Sequence, residues 1–123
     1  MGHVYINATI RGKRQKKARF LVDTGATHSL ISPKMAKEAG LVVGPVKDTV
    51  RLANGKTIRI PLASVLVKID GREAGATFWI GPCDEPLIGV ETLEALGMAV
   101  DPRSGRLKPT RPYAGRLGGL RAR

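Results

Sequence analysis

One acidic turn between two apolar runs constrains this chain more than any other feature: Phe20-Leu21-Val22-Asp23-Thr24-Gly25-Ala26-Thr27-His28-Ser29-Leu30-Ile31-Ser32. A strand ending in Asp-Thr-Gly presents its acid on a turn, because Gly25 reaches backbone conformations that other residues resist and puts no bulk beside the carboxylate. Thr24 adds a hydroxyl able to bond backbone across an interface, and Ala26 keeps the surroundings open. Asp-Thr-Gly alone is also an ordinary turn sequence, with Asp and Thr as turn formers. The apolar flanks shift the balance toward an acid mounted on buried strands.

A second stretch, Leu87-Ile88-Gly89-Val90-Glu91-Thr92-Leu93-Glu94-Ala95-Leu96-Gly97, joins two large aliphatics to a glycine and a short amphipathic helix. Gly25 and Gly89 stand 64 residues apart, with a strand-rich segment between them. The pair of motifs resembles the retropepsin-like aspartic proteases, and the resemblance runs from about residue 3 to residue 109. It implies an all-β, single-domain closed barrel with a flap hairpin and one or two short helices over residues 1–109, followed by a basic flexible tail at 110–123.

The resemblance also assigns roles. Asp23 is the expected catalytic acid and base, Thr24 the hydroxyl that locks paired loops, and Gly25 the close-approach position whose carbonyl faces substrate. Ala26, Thr27 and Leu87 are expected around the substrate, as are Ala53, Asn54 and Gly55 at the flap tip. Asp84 and Glu85 fall on a loop that forms part of the cleft wall in the retroviral enzymes, where they would favour a basic substrate side chain. Aspartic proteolysis needs two carboxylates, one as general base and one protonated. This chain holds one Asp-Thr-Gly, no repeat, and too few residues for two lobes. A twofold homodimer supplies the second acid. The expected substrate is a peptide or protein.

Two departures from the retroviral pattern point to a cellular or microbial relative. Thr27 and Val90 stand where those enzymes carry an acid and an arginine that pair to brace the dimer, and the hairpin tip lacks a glycine-rich run.

Composition fits one globular domain. The 123 residues are 42% hydrophobic with 15 Gly and eight Pro, and no apolar run nears the roughly 20 residues of a membrane span. No secretory signal is recognisable at Met1-Gly2-His3-Val4-Tyr5-Ile6-Asn7, so a cytoplasmic location is the default expectation. Cys83 is the single cysteine and there are two histidines, so neither a disulfide, a metal site nor a cofactor is expected. The net charge of +11 gathers in Arg11 to Arg19 and in a tail with seven basic residues from Arg103 onward. Such clusters can contact nucleic acid, but no aromatics are interleaved for stacking, and a solvated loop and tail is the favoured reading.

The rest reads as strands. Val4, Ile6, Ala8 and Ile10 alternate, and Ala18 to Val22 returns into Asp23. Ser32-Pro33 opens a short helix ending at Gly40. Alternation on both sides of Asn54-Gly55 marks a hairpin over Asp48–Ile60, the candidate flap. Leu62 to Ile69 and Ala74 to Ile80 are further strands joined at Asp70-Gly71, with Trp79 assigned to the core. A last hairpin turns at Pro102-Arg103-Ser104-Gly105, and in the family such termini interleave across the dimer. Two other functional classes fit the same residues: a catalytically silent module that binds extended peptides by strand addition, and a basic nucleic-acid-binding protein.

Overall fold

The computed structural model describes residues 3–113. β1 (Val4–Arg11) and β2 (Gln15–Val22) pair over eight rungs, from Val4 with Val22 to Arg11 with Gln15. The expected alternation holds, with Val4, Ala8 and Ile10 buried. Part of the basic cluster has structural work. The turn at Gly12–Arg14 packs on α1 (Pro33–Glu38), where Arg14 donates to the carbonyls of Lys37 (2.7 Å) and Glu38 (3.1 Å). The Lys37 carbonyl also accepts the Gly40 amide at 3.0 Å, and a cation at a helix C-terminus meets its negative dipole end. Ser32 caps the other end, accepting from the Met35 amide at 3.1 Å.

β3 (Ser29–Ile31) leads from the Asp-Thr-Gly loop into α1. Then come β4 (Val43–Arg51), β5 (Thr57–Ile69), β6 (Arg72–Ile80), the two-residue β7 (Leu87–Ile88) and α2 (Val90–Leu96). The sheet runs β1-β2-β7-β3-β6-β5-β4, and β1 also pairs with β5. The strands from β1 through β5 therefore close into a ring, while β4 hangs on its outside. Inside the ring lie Phe20, Phe78, Ile10, Ile31, Ile69, Ile88 and Val67, all essentially inaccessible, with Leu96 of α2 closing one end. Each such side chain contributes about 1.5–3 kcal/mol by leaving water. The fold is all-β and retropepsin-like, with two short helices.

Two details, at Pro61 and Trp79, differ from the sequence-based expectation. β5 is one strand of 13 residues running through Pro61, where the alternation suggests a break. Pro61 pairs with Lys47 beside an irregularity between Val43 and Lys47, at the outer strand, which is where a sheet tolerates a missing amide. The expected hairpin about Asn54-Gly55 is present, its tip closed by the Leu52 amide on the Lys56 carbonyl, with Asn54 accepting from the Lys56 amide. Trp79 is only partly buried, because its indole nitrogen reaches Asp48.

β8 (Met98–Asp101) and β9 (Arg106–Pro109) form a separate hairpin about the expected turn. The chain then stays on the body: Arg111 donates to the Glu94 and Ala95 carbonyls, and the Tyr113 hydroxyl bonds both the amide and carbonyl of Glu73. Residues 114–123 of the expected tail lie outside the described residues.

The β5–β6 turn offers a clean test of backbone conformation. Gly71 has φ of 79°, and a Cβ built on it meets nothing within 4 Å. Gly71→Ala should therefore cost about 1 kcal/mol from conformation alone, read as a lower midpoint in urea denaturation with the slope unchanged.

Candidate active site

The loop carrying Asp23 is built by two strands that lie far apart in sequence. β2 runs parallel to β7, with Leu21 beside Leu87 and Val22 beside Ile88. One step further on, the Asp23 amide donates to the Ile88 carbonyl at 2.9 Å. The loop then turns on itself: the Ala26 amide donates to the Asp23 carbonyl (3.1 Å), and the Gly25 amide to Asp23 Oδ1 (3.0 Å). A bond from a backbone amide to a carboxylate is charge-assisted and directional. It fixes the acid's orientation while Asp23 stays half-buried and Thr24 and Gly25 exposed.

Helix α2 backs this loop. Its first amides lack partners inside the helix, and they find them in the loop: Val90 donates to the Ala26 carbonyl (2.9 Å) and Glu91 to that of Thr27 (3.1 Å). The helix starts at Gly89, which has no capping side chain. Ser29 compensates from β3, its Oγ accepting the Gly89 amide at 3.0 Å and lying 2.6 Å from the Thr92 hydroxyl. Ser29 and Thr92 are both fully buried. No residue but glycine fits at 89, since a Cβ there would sit 2.5 Å from the His28 carbonyl oxygen and 2.8 Å from that of Ala26. Loop and helix thus form one rigid unit.

The other expected residues divide into two groups. Leu87 lies under the loop by pairing with Leu21 and Leu30, and Ala26 and Thr27 belong to the loop through their bonds to α2. Ala53, Asn54 and Gly55 are exposed at the hairpin tip, and no described hydrogen bond ties them to the Asp23 loop. Asp84 is exposed; Glu85 is partly buried and takes a long bond, 3.4 Å, from Tyr5, whose ring lies 4.0 Å from the Arg19 guanidinium. Thr24 lines a recess of about 340 Å³ with Val90, Leu93, Met98 and Val100. A wider, open recess of about 890 Å³ lies away from Asp23, across β1, β2 and the β5–β6 turn.

Sequence reasoning missed four side chains here: His28, Ser29, Trp79 and Thr92. Beside Thr27 and Val90, which replace the family's bracing pair, a histidine and a glutamate meet within the chain. His28 Nδ1 stands 2.7 Å from Glu91 Oε2. The nitrogen is buried and makes no directed hydrogen bond. The signal lay in the sequence, at the next position after each motif.

Two outcomes test this construction. Ser29→Ala strands the Gly89 amide and the Thr92 hydroxyl in a dry interior and should cost about 2–3 kcal/mol, whereas Thr92→Val keeps the Gly89 bond, removes only the partner of the Ser29 hydroxyl and should cost about 1–2 kcal/mol; chemical denaturation of the two variants gives the order. For Cys83, burial first and the Asp84 carboxylate second push the thiol above its ordinary range. Since the thiolate is the reactive form, alkylation near neutral pH should run slower than for a free cysteine and speed up in Asp84→Asn.

Among known proteins, the aspartyl protease family matches this chain over residues 6–100. An uncharacterised protein of Rickettsia prowazekii is 30% identical over 105 residues, covering 81% of this chain and 44% of that protein, so the chain spans less than half the length of that relative. The matched span contains the Asp-Thr-Gly loop, the Leu87-Ile88-Gly89 motif and the closed ring that joins them, and the chain belongs to the aspartyl protease family.

Proposed function

We propose that the protein is an aspartic endopeptidase whose active site is assembled from two chains. The observation that carries this reading is the Asp23 loop: a half-exposed carboxylate, oriented by the Gly25 amide and backed by Ile88 and α2, on a chain with one Asp-Thr-Gly. A twofold axis beside Gly25 brings the Asp23 of each subunit into one site. Two carboxylates so close share a proton and titrate as a unit. The ionised one takes a proton from water, which attacks the scissile carbonyl, and the protonated one polarises that carbonyl and stabilises the tetrahedral intermediate; a proton then passes to the leaving amine.

The remaining residues take roles around that step. Thr24, exposed beside the recess that Val90 and Met98 line, locks one loop to its copy, and strands from the partner's termini fill the recess. With the Ala26 and Thr27 carbonyls committed to α2, the Gly25 carbonyl is left to face the peptide backbone. The β4–β5 hairpin is the flap, and Leu52 and Ile58, exposed at 38% and 40%, give it apolar surface to lay over a bound peptide. Exposed Asp84 favours a basic side chain in the substrate. No helix among the described residues is long and apolar enough to cross a membrane.

Cleavage of an unbiased peptide library between about pH 4 and pH 7 tests the assignment. Wild-type activity should rise more than linearly with protein concentration, and Asp23→Asn should lower it by at least about a thousandfold. Equal cleavage by the two proteins, or none by the wild type at concentrations where sedimentation shows a dimer, would remove the assignment.

A further inference from the structure

The hairpin read above as the flap leaves the sheet at a weak point. Below it, the pairing of β4 with β5 is irregular between Val43 and Lys47, and Pro61 stands opposite Lys47. Above it, four regular rungs, Asp48 with Ile60 to Arg51 with Thr57, lead to the exposed tip. At the first of these rungs the hairpin is fastened to the body. Trp79 of β6 donates from Nε1 to Asp48 Oδ2 at 3.0 Å, while Asp48 Oδ1 accepts the Thr49 amide at 3.0 Å. The indole also meets the His28 ring edge to face, centroids 5.0 Å apart and planes at 86°. His28 follows the catalytic turn by a few residues and faces Glu91 in the first turn of α2.

We propose that Asp48, Trp79 and His28 form a strut that sets the position of the flap relative to the catalytic loop, with Trp79 and His28 as positioning residues. This rests on the reading of the hairpin as a flap. The strut adds a side-chain link between the hairpin base on the outer strand, the end of β6, and the loop that α2 holds rigid. Its indole bond to a carboxylate is partly buried and charge-assisted, which makes it strong enough to bias the hairpin without locking the tip.

Amide hydrogen exchange over residues 49–57 tests the strut without any activity assay. Trp79→Phe keeps a ring against His28 but removes the donor, and Asp48→Ala removes the acceptor; each should speed exchange in that segment by about fivefold to tenfold. The double variant should be no faster than Asp48→Ala alone, because Asp48→Ala already breaks the indole bond along with its own bond to the Thr49 amide. His28→Ala, which touches no hairpin residue, should also speed it, and His28→Phe should restore it by returning a ring to the indole. With peptide substrate, Trp79→Phe should raise KM about fivefold and leave kcat within about twofold. Unchanged exchange in Trp79→Phe, additive effects in the double variant, or a folded His28→Ala with a wild-type hairpin would each overturn the strut. If the exchange pattern holds but the wild type cleaves nothing, the strut stands and the protease reading falls.

Discussion

The parallel contact between β2 and β7 is the constraint on which the rest of the structure depends. It is only two residue pairs long, yet it carries the Asp23 amide onto the Ile88 carbonyl and delivers Gly89 to the back of the loop. From there α2 starts against the Ala26 and Thr27 carbonyls. So short a parallel ladder has little stability by itself. It persists because Ile88 within it and Phe20 next to it are fully buried in the ring, and because the Ser29 hydroxyl accepts the buried Gly89 amide. Packing holds the ladder, the ladder aims the acid, and the hydroxyl removes the cost of the close approach at Gly89.

How much of this was legible in the sequence depended on whether a signal was local. The strand alternation of β1, the Ser32-Pro33 helix start and the Asp70-Gly71 turn are local, and each stands where the residues indicate. So are the Asp-Thr-Gly loop and the Leu87-Ile88-Gly89 motif, which together carried the family and the fold. What failed to show was anything set by partners distant in sequence. Pro61 reads as a break, yet β5 passes through it because the outer strand does not need its amide. Ser29 looks like one more hydroxyl beside an apolar strand until Thr92 and Gly89, some sixty residues on, close around it.

The charges illustrate the same limit. Arg11 to Arg19 reads as a free basic loop, but Arg14 is spent on α1, Lys16 on Glu38, Arg11 on Glu73, and Arg19 on the face of Tyr5. Exposed ion pairs like these contribute little each. Their effect is to lower the number of cations available to an outside polyanion, which weakens the nucleic-acid alternative more than the net charge of +11 suggests.

In the proposed dimer, the rigidity behind Asp23 answers a specific electrostatic demand. Two carboxylates drawn to one axis repel unless they share a proton, and a loose loop would relieve the repulsion by swinging them apart, at the cost of the shared proton on which the chemistry depends. Each bond behind the loop acts against that swing: Ile88 holds the amide of Asp23, Gly25 holds its carboxylate, and α2 holds the two carbonyls that follow. The described hydrogen bonds of the hairpin tip, where residues 52–56 are exposed, stay within the tip and none reaches the body. The division is what a one-acid half-site requires, since the back must not yield when the second carboxylate arrives, while the front must open for a peptide and close over it. The described side-chain bond that spans the two regimes is the one from Trp79 to Asp48, at the place where the rigid ring ends and the hairpin begins.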